Sequence, residues 1–230
     1  MTEAQIQAAI ASFEADRTKY EQAADSFRRL IEGVLSDHHD GIAQLPLEFR
    51  TKDVSSLRRK LLTRSKDVPS LESITDLCGV RIVCFFQEDV AEICDVIERE
   101  FDVDWENSID KSNLLEPNTF GYQSVHYVVR LNDARMNQRE YAKCVGHVVE
   151  IQVRTVLQHA WAAIDHKLRY KTEHDVPDEL KRDLFRLSAL LELADKEFSA
   201  IRVKSEEVSL RYEQKIGIGD FKIGIDSDSW

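Results

Sequence analysis

Apolar and small residues recur at steps of three and four near both ends of the 230-residue chain. This spacing places them along one side of a helix, as a seam that packs against another helix. The N-terminal seam lies within residues 3–35, and the C-terminal one follows a typical helix start, Pro177 with two acids. The seam residues are Ile6, Ile10, Phe13, Tyr20, Ala24, Phe27, Ile31 and Val34, then Leu180, Leu184, Leu187, Leu191, Ala194, Phe198, Ile201 and Val208. We expect both helices to pack on the domain, on each other or across a subunit interface.

Between the seams the pattern changes to that of mixed strands and helices. Residues 77–86 form an almost unbroken apolar run, typical of a strand buried on both faces. Other strands are predicted near 101–105, 122–131 and 147–153, with a loop at 106–119 and a polar insert at 132–146. Helices are predicted after Asp53, around 90–97 and from Thr155. The apolar sides predicted for the first and last of these helices are Leu57, Leu61 and Leu62, and Leu157, Trp161, Ile164 and Leu168.

These elements predict an α+β fold, a mixed β-sheet flanked by helices, with a long helix at each end. We divide the chain into an N-terminal helical extension (1–40), a central domain (41–175), a C-terminal helix (176–216) and a tail (217–230). No apolar run approaches the roughly 18 residues of a membrane span. The polar N-terminus is unlike a signal peptide, so we expect a cytoplasmic protein with reduced cysteines, of which Cys78 and Cys84 point into the core.

The distribution of charge along the chain limits the kinds of molecule that the protein is expected to bind. The net charge of −11 argues against sequence-independent nucleic-acid binding over the whole surface. Residues 50–66, however, hold seven basic residues and one acid, a local charge of +6. Within this island Arg50 and Lys52 are two apart in an extended segment, while Ser56 and Lys60 are four apart on a helix, so each pair shares a side. Such a set suits a triphosphate, although a solvated basic helix has the same composition.

Three further stretches carry polar side chains along predicted strands. In Gly121-Tyr-Gln-Ser-Val-His126 the tyrosine, serine and histidine share one face, which suits a flat ring and a phosphate; a strand facing solvent is the alternative. Asp76 stands at the mouth of the buried strand that contains Arg81, so the two suit either a ligand site or a structural ion pair. Glu150, Gln152 and Arg154 share a strand face. Asp76 and Glu150 together could hold one Mg²⁺, which usually takes one or two protein carboxylates plus phosphates.

These stretches resemble, in the same order, four motifs of the RelA/SpoT alarmone synthetases. The first is Arg50-Thr-Lys-Asp-Val-Ser-Ser-Leu-Arg-Arg-Lys60, which is similar to the family's RxKxxxSxxxK element. The others are Asp76-Leu-Cys-Gly-Val-Arg81, the GYQSVH run and Glu150-Ile-Gln-Val-Arg-Thr155. The helix Trp161 to Lys171 is similar to the one that follows in small single-domain members. The resemblance covers residues 45–172 and implies a nucleotidyltransferase-like synthetase domain.

The resemblance also implies a reaction and residue roles. Members transfer the β,γ-pyrophosphate of ATP to the 3′-hydroxyl of GDP or GTP with Mg²⁺. Arg50 and Arg81 would sandwich the adenine of ATP, and Lys52, Ser56 and Lys60 would hold its phosphates. Asp76 and Glu150 would be the catalytic carboxylates and the metal ligands. The acceptor nucleotide would be held by Tyr122, His126 and Gln152.

Two departures from the family pattern limit these expectations. Many members carry a lysine shortly before the tyrosine, whereas here the segment is Glu116-Pro-Asn-Thr-Phe-Gly-Tyr122, and Lys111 is the nearest lysine on its N-terminal side. The choice among GMP, GDP and GTP therefore stays open. The cluster His38-His-Asp40 lacks the helical domain that the family's hydrolase site needs, so we expect synthesis without hydrolysis.

Two other functions remain compatible with the sequence. One is a toxic relative that pyrophosphorylates an adenine nucleotide or the 3′ end of tRNA, although the acidic charge weighs against tRNA. The other is a nucleotide-binding module that has lost catalysis, against which the intact set of motif residues argues. The two helical seams also permit a homo-oligomer.

Overall fold

The computed structural model of the chain describes residues 2–38, 42, 44–63, 70–110, 124–171 and 178–217. The helices in these residues are α1 (Glu3–His38), α2 (Val54–Thr63), α3 (Gln87–Glu100), α4 (Asp133–Met136), α5 (Val156–Lys171) and α6 (Asp178–Gly217). The strands are β1 (Glu48–Thr51), β2 (Cys78–Cys84), β3 (Phe101–Val103), β4 (Ile109–Asp110), β5 (Val125–Leu131) and β6 (Val149–Thr155). The α+β class and the two long terminal helices are confirmed. Residues 106–119 were predicted as loop, which holds for 106–108 and is wrong for Ile109–Asp110, the two residues of β4.

The strands form one mixed sheet in the order β1-β2-β6-β5-β3, and β4 also pairs with β5. Strands β2 and β6 are parallel, and the other pairs are antiparallel. The register puts Glu48, Arg81, Gln152 and His126 side by side in one row across four strands. Because facing residues of paired strands lie on the same face of a sheet, this row collects polar side chains from distant parts of the chain.

The other face of the sheet forms the main hydrophobic core. Alternate residues such as Val80, Ile82 and Ile151 are at most 1% exposed, and helices α1 and α3 cover them. Phe27 of α1 stacks on Phe101 with 5.9 Å between ring centroids. Burial of side chains of this size stabilises a fold by about 1.5–3 kcal/mol each. The core therefore fixes the strand register on which the polar face depends.

The N-terminal seam packs on the domain, which is one of the arrangements expected for it. Its first part buries Ile6, Ile10 and Phe13 against Leu57 and Leu61 of α2, in a second hydrophobic cluster. The sequence also predicted Leu62 on this buried side, which is wrong: Leu62 is 49% exposed. Helix α2 is thus fixed to α1 on one side, and Lys60 lies on the adjoining side, where it reaches Asp76.

The C-terminal seam predicted the buried side of α6 only in part: Leu184, Leu191 and Ala194 are half-buried, and the other five seam residues are not. Leu180, Leu187, Phe198, Ile201 and Val208 are all exposed, between 41% and 57%. Helix α6 instead buries Ser188, Asp195 and Ser199, which lie on the adjoining side. The side of α6 that packs against the domain therefore combines buried polar residues with half-buried apolar ones, and the rest of the apolar seam faces outward.

Hydrogen bonds and an ion pair hold α6 on the domain. Asp195, 1% exposed, accepts a hydrogen bond from Thr155 Oγ1 at 2.6 Å, at the end of β6. Arg202 donates to Asp89 of α3 at 2.5 Å, and its guanidinium lies 4.8 Å from the centroid of the Phe86 ring. Asp89 is only 1% exposed, and Arg202 is the cation that pairs with its buried carboxylate.

The apolar side predicted for α5 is only partly buried. Trp161 is 8% exposed, but Ile164 and Leu168 are 49% and 47% exposed, so for these two the prediction is wrong. All four cysteines are free, and Cys78 and Cys84 lie in the core as expected. No helix among the described residues is long and apolar enough to cross a membrane.

Candidate active site

The face of the sheet opposite the main core carries most of the predicted site residues. Glu48 and Arg50 come from β1, Arg81 from β2, His126 from β5, and Glu150, Gln152 and Arg154 from β6. Asp76 and Lys52 lie just outside β2 and β1, where the backbone N–H of Lys52 donates to the carbonyl of Leu77 at 2.8 Å. The sheet register therefore brings together residues that are more than 100 positions apart in the chain.

Two lysines bind Asp76 directly. Lys52 Nζ is 2.5 Å from Oδ2, and Lys60 Nζ is 2.8 Å from Oδ1. Burial alone would raise the pKa of Asp76, but the hydrogen bonds from Lys52 and Lys60 outweigh it and hold the pKa below its ordinary value. Ser56 lies one turn before Lys60 on α2, where its Oγ accepts a hydrogen bond from Arg59 at 3.5 Å. Asp76 is thus an ionised carboxylate beside two cations that each have further donors.

Glu150 is held at both oxygens. His126 Nδ1 is 3.0 Å from Oε1, and Gln152 Nε2 donates to Oε2 at 2.7 Å. Burial would raise the pKa of Glu150, and repulsion from Asp76 adds to that effect, but the contacts with His126 and Gln152 keep the pKa below its ordinary value. On its far side His126 Nε2 lies 2.7 Å from Ser124 Oγ. Glu150 is therefore ionised at neutral pH and fixed in orientation.

Three arginines surround this carboxylate. Arg50 is 57% exposed and lies 4.0 Å from Glu150 Oε2, while Arg81 pairs with Glu48 at 3.1 Å. The alternative of a structural ion pair for Arg81 is thus realised, with Glu48 rather than Asp76 as the partner. Arg154 is 6% exposed, and burial together with Arg81 and Arg50 lowers its pKa to about 10. The exposed guanidinium of Arg50 is free to meet a ligand that approaches from solvent.

The carboxylates fit a Mg²⁺ ion by their chemistry. Asp76 and Glu150 lie on the same side of the sheet, close enough for Asp76 to oppose the ionisation of Glu150. Mg²⁺ keeps water and substrate phosphates in most of its coordination positions and needs only one or two protein carboxylates. Within the described ranges no cluster of three or more His, Cys, Asp or Glu could hold a metal ion. A metal here would therefore depend on phosphate oxygens as well as on these two residues.

Some predicted site residues lie outside the described part of the chain. These are Tyr122 and Lys111, together with the whole segment 116–121 before Tyr122. The structure adds two residues that the sequence did not single out: Glu48, which pairs with Arg81, and His159 in the first turn of α5. Burial, together with Arg81 and Arg154, lowers the pKa of His159. Glu48 could have been predicted as a site residue because it lies two residues before Arg50 and therefore on the same side of a strand.

Gly79 is the position where the sheet needs the absence of a side chain. A Cβ atom at this position would lie 2.8 Å from the backbone carbonyl oxygen of Glu150, which faces Gly79 in β6. Ordinary Cβ contacts do not come this close. The glycine in the Asp76–Arg81 motif thus lets the backbone of Glu150 lie at its observed distance from β2.

Comparison with known proteins agrees with this site. The sequence model of the region found in RelA / SpoT proteins matches residues 49–175. The GTP pyrophosphokinase YjbM of Bacillus subtilis (strain 168) is 28% identical over 202 residues, 85% of this chain and 91% of YjbM. The GTP pyrophosphokinase YwaC of the same organism is 30% identical over 156 residues, 66% of this chain and 71% of YwaC.

Solved structures agree as well. The small alarmone synthetase 1 from Bacillus subtilis bound to its product pppGpp has a TM-score of 0.69 at 27% identity, covering 84% of this chain and 98% of that one. The same synthetase bound to AMPCPP has a TM-score of 0.65 at 25% identity, covering 86% and 99%. The match to the family model spans all four motifs, and the fold is that of small alarmone synthetases. The chain belongs to the RelA/SpoT family.

Proposed function

We propose that this chain is a GTP pyrophosphokinase of the small alarmone synthetase type. It transfers the β,γ-pyrophosphate of ATP to the 3′-hydroxyl of GDP or GTP, with Mg²⁺, and releases AMP. The observation that carries the proposal is the meeting of Lys52, Lys60 and Asp76 with the Glu150–His126 pair on one face of the sheet. The names of the relatives YjbM and YwaC support the same activity.

The donor side of the site is the cationic one. Lys52 and Lys60 lie on either side of Asp76, and each ammonium has further hydrogen atoms to donate to phosphate oxygens. Ser56 adds a hydroxyl from α2, one turn before Lys60. Arg50 and Arg81, on adjacent strands, are the proposed adenine contacts, because guanidinium groups stack well on aromatic rings. For this contact Arg81 keeps its pairing with Glu48, which fixes its position.

The reaction is an in-line displacement at phosphorus. The 3′-oxygen of the acceptor attacks the β-phosphorus of ATP, the bond from that phosphorus to the oxygen bridging to the α-phosphorus breaks, and AMP leaves with that oxygen. Mg²⁺, when bound, neutralises charge on the phosphates. Glu150, ionised and held by two neighbours, orients the 3′-hydroxyl and accepts its proton late, since a carboxylate with a lowered pKa is a weak base. Positioning and charge neutralisation supply most of the rate.

The acceptor nucleotide is proposed to bind along β5 and β6. His126 contacts phosphate and Gln152 lies beside it in the next strand, facing it directly in the register. Tyr122 stacks on the acceptor base by resemblance to the family motif. The lysine missing before Tyr122 makes the choice among GMP, GDP and GTP a matter for direct measurement, with Lys111 as the candidate substitute.

Several further proposals complete the description. The chain works as a synthetase without hydrolase activity, in the cytoplasm. Its organisation is that of a helical extension (1–40), a synthetase domain (41–175), a C-terminal helix (176–216) and a tail (217–230). The helix bounds Glu3–His38 and Asp178–Gly217 support the first and third of these divisions.

Transfer of label tests the proposed activity. The protein is incubated with Mg²⁺, γ-labelled ATP and one acceptor at a time: GMP, GDP, GTP, ADP, ATP or bulk tRNA. We expect label on a guanine nucleotide, with one AMP released for each label transferred. Label on an adenine nucleotide or on tRNA would instead establish the toxic relative. ATP binding without transfer to any acceptor would establish a module that has lost catalysis.

We also propose that the chain forms a homo-oligomer through α6. This helix leaves large apolar side chains exposed along most of its length: Leu180, Phe185, Leu187, Leu190, Leu193, Phe198, Ile201, Val203, Val208 and Leu210. Exposed apolar surface of this extent is typical of an interface. The neighbouring Ile164 and Leu168 of α5 extend it.

Light scattering after size exclusion tests this interface. We expect a dimer or a larger species for the wild-type chain and a shift toward the monomer for Leu190→Glu with Ile201→Glu. The matched control is Val145→Glu, at a position that is 43% exposed outside α6. A wild-type chain that is monomeric at high micromolar concentration would contradict the proposal.

A further inference from the structure

Arg154 lies inside the site, but neither its exposure nor its partners suit a substrate ligand. It is 6% exposed, and its Nη2 donates to Gln152 Oε1. Its Nε is buried and has no hydrogen-bond partner. Burial of a guanidinium beside other arginines costs free energy, so a specific interaction is expected to compensate for it. The interaction seen is the one with Gln152.

Contact with Arg154 determines which way the Gln152 amide points. A guanidinium can only donate hydrogen bonds, so the atom of Gln152 that faces it must be the carbonyl oxygen. The amide nitrogen then faces Glu150 Oε2, to which it donates at 2.7 Å. In the reversed orientation the carbonyl oxygen would face the carboxylate and the amide nitrogen would face the guanidinium, and both contacts would be repulsive.

The opposite side of Glu150 is fixed independently. His126 Nδ1 lies 3.0 Å from Oε1, and Ser124 lies 2.7 Å from the other nitrogen of the same ring. Each oxygen of Glu150 therefore has one hydrogen-bond partner, and each partner has one further anchor. Arg154 is the anchor on the Gln152 side, two residues beyond it on the same strand face.

We propose that Arg154 is a positioning residue, which sets the amide orientation of Gln152 and through it the orientation of the Glu150 carboxylate. The proposal rests on the proposed function, since it assigns Glu150 to pyrophosphate transfer. It predicts that Arg154 acts on the rate of transfer and only through Gln152.

Kinetics of Arg154→Met test this directly. We expect kcat to fall about tenfold, the loss that follows from one misdirected hydrogen bond, with the KM for ATP changed less than twofold. Arg154→Lys keeps a donor for Gln152 Oε1 and should recover part of kcat. The matched control is Arg130→Met, which removes another arginine of a central strand that pairs only loosely, at 3.8 Å, with Asp104. Unchanged kcat in Arg154→Met, or a raised KM for ATP alone, would overturn the proposal.

A double-mutant cycle separates an indirect role from a direct one. In the Gln152→Met background Arg154 has no amide to orient, so Arg154→Met should change kcat less than twofold there. An equal loss in both backgrounds would show that Arg154 acts on substrate itself and would refute the positioning role.

A spectroscopic readout keeps this test independent of activity. In protein labelled with ¹⁵N-glutamine, the side-chain amide signal of Gln152 is identified by its loss in Gln152→Met. We expect Arg154→Met to shift this signal and Arg130→Met to leave it in place. A Gln152 signal unmoved by Arg154→Met would overturn the inference even if the wild-type chain transferred no pyrophosphate, whereas a shifted signal in an inactive chain would count against the proposed function alone.

Discussion

Replacement of Gly79 by alanine tests whether the close approach of β2 and β6 positions Glu150. The added Cβ would lie 2.8 Å from the carbonyl oxygen of Glu150 and 3.7 Å from its Cβ. Relief of this contact requires the two strands to move apart by several tenths of an ångström. Overpacking of this kind costs about 1–3 kcal/mol. For a chain of this length the melting temperature should fall by about 2–12 °C.

The same displacement should affect transfer. Glu150 would move relative to Asp76, and small misplacements of catalytic groups cost about tenfold or more in rate. The assays are thermal unfolding followed by circular dichroism and initial rates of pyrophosphate transfer at saturating ATP. We expect Gly79→Ala to lose both stability and kcat.

The matched control is Gly33→Ala, in the last two turns of α1. A Cβ there meets nothing within 4 Å, so the helix should gain about 0.5–1 kcal/mol from the better helix former. The two glycines thus predict opposite signs for the same substitution. An unchanged melting temperature and kcat in Gly79→Ala would refute the reasoning, as would a destabilised Gly33→Ala.

Three more predictions concern charge. Arg202→Met leaves Asp89 buried without its cation and should lower the free energy of unfolding in urea by about 2–4 kcal/mol. Lys196→Met, whose partner Glu192 is exposed, should lower it by less than about 1 kcal/mol. Equal losses in the two variants would contradict the role of Arg202. The pKa of Asp76 is lowered on folding, so its ion pairs stabilise the fold fully above pH 3.8, and this stabilisation is lost as the pH falls through the lower pKa of the folded state. The difference in stability between wild type and Asp76→Asn, measured without Mg²⁺, should therefore shrink below pH 3.8. A difference that stays constant would contradict the ion pairs. Chelation of divalent cations should abolish transfer and added Mg²⁺ should restore it, whereas full activity in excess chelator would exclude the metal.

The sequence predicts those helices and strands whose position depends only on which side of the element is buried. The apolar run at 77–86 predicted β2, and steps of three and four predicted α1, because a core-facing side imposes its own period on a strand or a helix. The site motifs could likewise be located, since polar residues on alternate positions of a strand share a face. The sequence shows Gly79 as part of a motif, but not why glycine is needed there. The reason is the close approach of Glu150, which lies on a strand about 70 residues away.

Helix α6 shows why the rest could not be predicted. Its apolar seam is the stronger local signal, but the domain offers Thr155, Gln87 and Asp89 as partners, and these bind polar residues on the adjoining side of the helix. Which side is buried thus depends on groups distant in sequence. The pairing of Arg81 with Glu48 and of Asp76 with two lysines depends in the same way on strand and helix placement.

The most direct test of the account is Glu150→Gln, because His126, Gln152 and Arg50 all lie around that carboxylate. Transfer from γ-labelled ATP to GDP or GTP is measured beside the binding of a non-hydrolysable ATP analogue. The account predicts that transfer is lost, by at least about a thousandfold, while the analogue still binds within a fewfold of wild type. Transfer at the wild-type rate in Glu150→Gln would contradict the assignment of this face of the sheet as the catalytic site.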